Sequence, residues 1–127
     1  MRRILALLLL APALLLTACS DDDSGKVYTQ PGEAITVGEG GEFTIELSSN
    51  PSTGYRWVLT EPPGEQVQLV DDDFEAKGSS QPGSGGVQRF VFRGVAKGST
   101  TLQMGYVRPW EQGVAPTQTA EFPVTVA

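Results

Sequence analysis

The sequence predicts an all-β antiparallel sandwich, and three observations carry that prediction. Apolar residues recur at every second position in one segment after another, the pattern of strands with one dry and one wet face. Clusters of Gly, Pro and Asn separate these segments at short intervals, where turns must fall. No segment after the N-terminal apolar run carries the 3.6-residue period of an amphipathic helix. About seven to eight short strands with such turns read as a sandwich of immunoglobulin-like type.

Residues 1–18 stand outside this pattern. Arg2 and Arg3 precede an apolar run from Ile4 to Leu16, broken only by Pro12, and Thr17 and Ala18 lead to Cys19. This is the layout of a secretory signal peptide, and the run is shorter than the roughly 20 apolar residues of a membrane span. Leu16-Thr17-Ala18-Cys19 resembles the lipobox of bacterial lipoproteins. That resemblance implies export, cleavage before Cys19 and attachment of acyl chains, palmitate among them, to the new N-terminal cysteine. An ordinary signal peptide with a stray cysteine is the plainer alternative. More than one acyl chain gives a durable membrane anchor. Ser20 in the next position implies outer-membrane placement facing the periplasm in a cell with two membranes. Residues 19–25, with Asp21, Asp22 and Asp23, read as a lipidated cysteine and acidic tether, and 26–127 as the folded domain.

Within the domain, Ile35 and Val37 mark a short first strand. Phe43, Ile45 and Leu47 alternate with Glu42, Thr44, Glu46 and Ser48. Tyr55, Trp57 and Leu59 alternate with Arg56 and Val58, and Val67 and Leu69 with Gln66 and Gln68. Phe90 and Phe92 alternate with Arg89 and Arg93, a pattern blurred by Val91 and Val95. Leu102, Met104 and Tyr106, then Phe122, Val124 and Val126, complete the set. The predicted strands run near 42–48, 55–60, 67–74, 87–95, 100–108 and 118–126.

Composition excludes several classes of function. The chain has a formal net charge of −6 over 127 residues, and losing Arg2 and Arg3 with a signal peptide makes it more acidic still. An acidic domain without a basic patch does not fit nucleic acid. There is no histidine and one cysteine, so the usual general base, the common zinc ligands and an intrachain disulfide are all missing. No cofactor or metal is expected. Asp21–Asp23 and Asp71–Asp73 lack the spaced ligands and glycine of a calcium loop, and read as a solvated spacer and an edge-strand charge run.

If consecutive strands run antiparallel, alternate loops share one end. Loops 49–54, 75–86 and 109–117 then fall together, and they are the unusual ones. They hold Asn50-Pro51-Ser52-Thr53-Gly54, Gln81-Pro82-Gly83-Ser84-Gly85-Gly86 and Pro109-Trp110-Glu111. Recognition usually sits on loops held by a rigid scaffold. The prolines limit the entropy lost on binding, glycines let backbone approach a partner, and Arg108 and Trp110 are hot-spot residue types. Each loop alone is also an ordinary turn, so these residues by themselves point only to a binding edge.

Asn50-Pro51-Ser52-Thr53-Gly54-Tyr55-Arg56-Trp57 resembles the NPxTG(Y/F)xW signature of the chagasin family of cysteine-protease inhibitors. Gly83-Ser84-Gly85-Gly86 is similar to that family's GxGG loop, and Arg108-Pro109-Trp110 to its RPW loop. The motifs occur in the family's order, and the resemblance covers about residues 26–127. Ser52 departs mildly from the threonine of many relatives. The resemblance implies a non-enzymatic, monomeric inhibitor of papain-like cysteine proteases. Its three loops would form a wedge. Asn50–Gly54, with Thr53 at the tip and Tyr55 following, would enter the cleft beside the catalytic cysteine. The glycine loop would lie along one side and Arg108-Pro109-Trp110 along the other. Trp57 is expected in the core and Trp110 exposed. The competing reading is a non-inhibitory adhesion or assembly module of the cell envelope. A carboxylate-based glycosidase would need two carboxylates facing each other across a cleft, whereas the acidic residues here fall on tether, turns and wet strand faces.

Overall fold

The computed structural model describes residues 25–76 and 85–127. They form eight strands: β1 (Val27–Tyr28), β2 (Ile35–Val37), β3 (Glu42–Ser49), β4 (Arg56–Leu59), β5 (Val67–Ala76), β6 (Gly86–Gly94), β7 (Gly98–Val107) and β8 (Gln118–Val126). Two four-stranded sheets result, ordered β1-β3-β6-β5 and β2-β8-β7-β4. The architecture is the expected sandwich.

The alternation read from the sequence becomes the core. Phe43 and Ile45 lie in register with Phe92 and Phe90 on the inner face of the first sheet, and the Phe43 and Phe92 rings stack with centroids 5.4 Å apart. Leu102, Met104, Phe122 and Val124 face them from the second sheet, and all eight residues are buried. On the outer face, Glu42 pairs with Arg93 and Glu46 with Arg89 directly across the β3–β6 ladder. Arg89 also reaches Glu75 of β5, with contacts of 2.9 Å to Glu46 and 2.8 Å to Glu75. These hydrogen bonds, to Glu46 first and Glu75 second, raise the guanidinium pKa above its ordinary value. Opposite charges facing each other in this way favour the observed register.

Three features depart from the sequence reading. β1 is an additional strand of only two residues, too short to show a period. β1 pairs with β3 and β2 with β8 in parallel, so each sheet has one parallel edge in an otherwise antiparallel ladder. β5 runs on to Ala76, past a bulge between Leu69 and Asp71 that leaves Val70 facing solvent. Asp71–Asp73 therefore lie inside an edge strand, where charge discourages pairing with another chain. Among the described residues, no group of three or more Asp, Glu, His or Cys could hold a metal ion, and no helix is long and apolar enough to cross a membrane. The signal-peptide, Cys19 and tether readings fall on residues outside those described.

The connections fix what lies at each end. β3 and β7 finish, and β6 and β8 begin, at one end of the sandwich. The segments 50–55 and 108–117, together with Gly85, all lie there.

Candidate binding edge

Asn50 to Gly54 carries the chain from the first sheet to the second. Pro51–Thr53 form a single 3-10 turn, and each residue type has a local reason. Asn50 caps the turn: its Oδ1 accepts from Ser52 N at 3.2 Å and Ser52 Oγ at 2.6 Å. Pro51 presets φ where an N–H would go unused. Thr53 Oγ1 donates to Asn50 O at 2.7 Å. Gly54 ends the turn at φ 84°, the left-handed region that favours glycine. Pro51, Ser52 and Thr53 are exposed at the tip.

The base of this loop is pinned at several points. Asn50 N donates to Tyr106 Oη of β7 at 2.9 Å, and Trp57 Nε1 donates to Ser48 O of β3 at 2.9 Å. Gln88 of β6 pairs its side-chain amide with the Trp57 backbone, accepting from N and donating to O at 2.8 Å each. Trp57 is 5% exposed and Trp110 67%, the opposite placements expected of them.

Arg108 is engaged within the molecule. Its Nε donates to Thr53 O at 3.2 Å, its guanidinium carbon sits 4.5 Å from the Tyr55 ring centre, and Nη1 lies 3.4 Å from Glu111 Oε1. Tyr55 stacks on Tyr106 at 5.3 Å, and Tyr106 meets Trp57 at 5.1 Å. A column of rings thus runs from buried Trp57 out to Arg108. Trp110 lies against Gly54: a Cβ added at Gly54 would run into the indole ring. Gly54 therefore serves both a backbone conformation and a close approach, and the Asn50 and Arg108 loops pack as one unit. Pro109, between them in the RPW run, starts the turn closed by Glu111 N donating to Arg108 O at 3.0 Å.

The glycine segment is described only in part. Gly83 and Ser84 lie outside the described residues. Gly85 approaches the Ser49 carbonyl. Gly86 already belongs to β6, between Ser49 and Ala76. A Cβ on it would collide with the Glu75 carbonyl and the Phe74 ring, so its missing side chain serves the sheet itself. A groove of about 490 Å³ separates this segment from the Asn50 loop, bordered by Asn50, Gly85, Gly86, Tyr106 and Gln118. On the other flank a cleft of about 380 Å³ opens between β4 and β5, lined by Pro51, Tyr55, Arg56, Asp72, Phe74 and Gln88 among others.

Residues 36–126 match the family model described as Chagasin family peptidase inhibitor I42. The chain belongs to the chagasin family. Amoebiasin-2 of Entamoeba histolytica is 33% identical over 84 residues, covering 65% of this chain and 68% of that protein. Chagasin of Trypanosoma cruzi is 32% identical over 83 residues, covering 62% and 76%. The fold is similar to the crystal structure of the cysteine protease inhibitor EhICP2 from Entamoeba histolytica, with a TM-score of 0.68 at 24% identity over 80% of this chain and 96% of that one. PbICP-C, solved in complex with falcipain-2, shares the fold at a TM-score of 0.58 and 21% identity, covering 84% and 93%. Members of the chagasin family are peptidase inhibitors and not enzymes.

Sequence reasoning in this family member missed Gln88, Glu111 and the Tyr106 hydroxyl. Gln88 left a signal: it is a polar residue in phase with buried Phe90 and Phe92. The roles of Tyr106 and Glu111 depend on contacts across loops and leave no local pattern.

Proposed function

We propose that this chain is a reversible, competitive inhibitor of papain-like cysteine proteases that fills the active-site cleft with a wedge of loops. Asn50–Gly54 enters beside the catalytic cysteine with Thr53 at its tip, the Gly83–Gly86 segment flanks it, and Trp110 rests on apolar protease surface. Family membership supports inhibition of a peptidase, and EhICP2, alike in fold, is a cysteine protease inhibitor. The observation that carries the wedge is the packing of Trp110 on Gly54 with Arg108 bound to Thr53 O. Two loops separated in sequence form one preset edge, so little freedom is lost on binding. Occlusion needs no chemistry from the inhibitor, only an interface of standard size, roughly 800 Å² per partner.

The reading is tested by titrating the chain from Ser20 onward against papain with a fluorogenic substrate. Competitive, reversible inhibition that weakens when Thr53 or Trp110 is replaced is the expected result. A folded chain that inhibits neither papain nor cathepsin-like relatives would overturn it.

We further propose that the protein is exported and lipid-anchored to the cell envelope through Cys19, as the Leu16–Cys19 run supports. In a cell with two membranes it sits on the outer membrane facing the periplasm. Incorporation of a labelled fatty acid, abolished by Cys19→Ala, is the expected result. A released, unlabelled product from the native sequence would refute the anchor.

A further inference from the structure

Gln88 sits where the strand pattern calls for an apolar side chain. It lies on the inner face of β6 in phase with Phe90 and Phe92, and is 5% exposed. Burying a carboxamide costs free energy unless every polar atom finds a partner. Here both ends do, and both on one residue of the opposite sheet: Oε1 accepts from Trp57 N and Nε2 donates to Trp57 O, each at 2.8 Å. β4 pairs with β7 on one side only. The Gln88 amide therefore acts as a one-residue strand neighbour for the other edge of β4.

Its place in the chain gives this pairing a consequence. Gln88 is in register with Leu47 of β3, just before the Asn50–Gly54 loop, and its side chain holds Trp57, just after it. Both stems of the loop are thus fixed to one residue, one through the backbone ladder and the other through the amide. Apolar packing between sheets is non-directional and tolerates small slides. Two hydrogen bonds to the N–H and C=O of one residue set distance and register together.

We propose that Gln88 is a positioning residue for the inhibitory edge: it holds the mouth of the Asn50–Gly54 loop at the spacing the protease requires, without touching the protease. This rests on the wedge reading above. An apolar side chain of similar size fills the same space and leaves the stems free to shift. The fraction of molecules with the loop correctly set then falls, and apparent affinity falls by that fraction.

Two variants of the chain from Ser20 onward test this, Gln88→Met and Gln88→Glu; every strand among the described residues lies beyond that start. Binding to thiol-blocked papain is measured at 25 °C from pH 5.5 to 8, with circular dichroism to establish that each variant is folded. The Met variant is expected to bind at least tenfold more weakly. In the Glu variant a protonated carboxyl reproduces the amide's donor and acceptor, whereas the carboxylate sets a negative oxygen against Trp57 O. Burial and that carbonyl raise the carboxyl pKa, so the useful form is present below the raised value and lost as pH rises through it. The Glu variant should approach wild-type affinity at pH 5.5 and fall behind at pH 8. Arg56, Asp72 and Asp73 line the same cleft in every variant, and taking the ratio to wild type removes any pH effect the proteins share. A folded Met variant binding within twofold of wild type, or a Glu variant whose ratio is flat with pH, would overturn the proposal. If wild type itself does not bind, the wedge reading fails and amide exchange still decides the positioning. Exchange at Asn50, Thr53 and Gly54 should speed up in the Met variant while Gly94, at the far end, is unchanged. Equal exchange at the loop in both proteins refutes the role.

Discussion

The two tryptophans occupy opposite extremes of burial, and their variants should separate stability from recognition. Trp57→Ala removes a buried ring, its bond to Ser48 O and its contact with Tyr106, and should cost about 3–5 kcal/mol in denaturant unfolding. Trp110→Ala should leave the unfolding midpoint unchanged and weaken papain inhibition by about 2 kcal/mol, roughly 30-fold. Arg108 poses a sharper question, because its charge is turned toward Thr53, Tyr55 and Glu111. If it braces the two loops, Arg108→Lys keeps the charge but loses the planar stack and the Nε bond, so both it and Arg108→Ala should weaken inhibition by about 1–2 kcal/mol. A lysine variant that inhibits like wild type would mean that charge, not the brace, is what matters. Gly54→Ala places a methyl group in the Trp110 ring and an L-residue at positive φ. It should stay folded and lose at least tenfold in inhibition, read from the same titration. At this scale Trp57 was legible because a strand period sorts inward from outward, and Trp110 only through the likeness of Arg108-Pro109-Trp110 to the family's RPW loop. Arg108 was legible as a residue of interest but not in its orientation, which depends on a carbonyl and a ring on another loop.

Among the elements, the long strands were legible and the edges were not. β3, β7 and β8 alternate cleanly because one face is core and the other solvent, and β6 does so apart from Val91 on its outer face. β5 alternates only as far as its bulge; beyond Leu69 it loses its cover from the second sheet, so Asp72 and Phe74 point inward yet remain exposed. Two-residue β1 has no period to read, and parallel pairing leaves no mark in a strand this short. The Asn50–Thr53 turn lay in plain view as a loop, but its capping bonds show that the loop is a wound turn and not an extended tip. The element-level prediction is that Asn50→Ala, which removes the cap to Ser52, loosens the turn. It should weaken inhibition while costing about 1 kcal/mol of stability, measured by the papain titration and denaturant unfolding in parallel.

For the molecule as a whole, chain direction matters more than any single contact. β1 runs parallel to β3, and Gly25 N donates to Glu42 O where β3 begins; β8 ends beside β2, with Ala127 N donating to Val37 O. Both ends of the described domain therefore leave from the side opposite Asn50 and Trp110, separated from them by the length of β3, roughly 25 Å. A support coupled at residue 25 should leave inhibition within twofold of the free chain, and a bulky partner fused after Ala127 should do the same. Failure of either would show that the wedge is not the working end.

The same directionality sets a geometry of access. If the lipid anchor proposed above holds the chain, that surface lies on the side of the plain end of the sandwich, and the loops face outward like the free end of a post. A protease arriving from solution meets them first. In that arrangement a protease whose cleft opens close to the same surface lies beneath their reach, so the parallel first strand would select among targets of the proposed inhibitor by where they stand as well as by what they are.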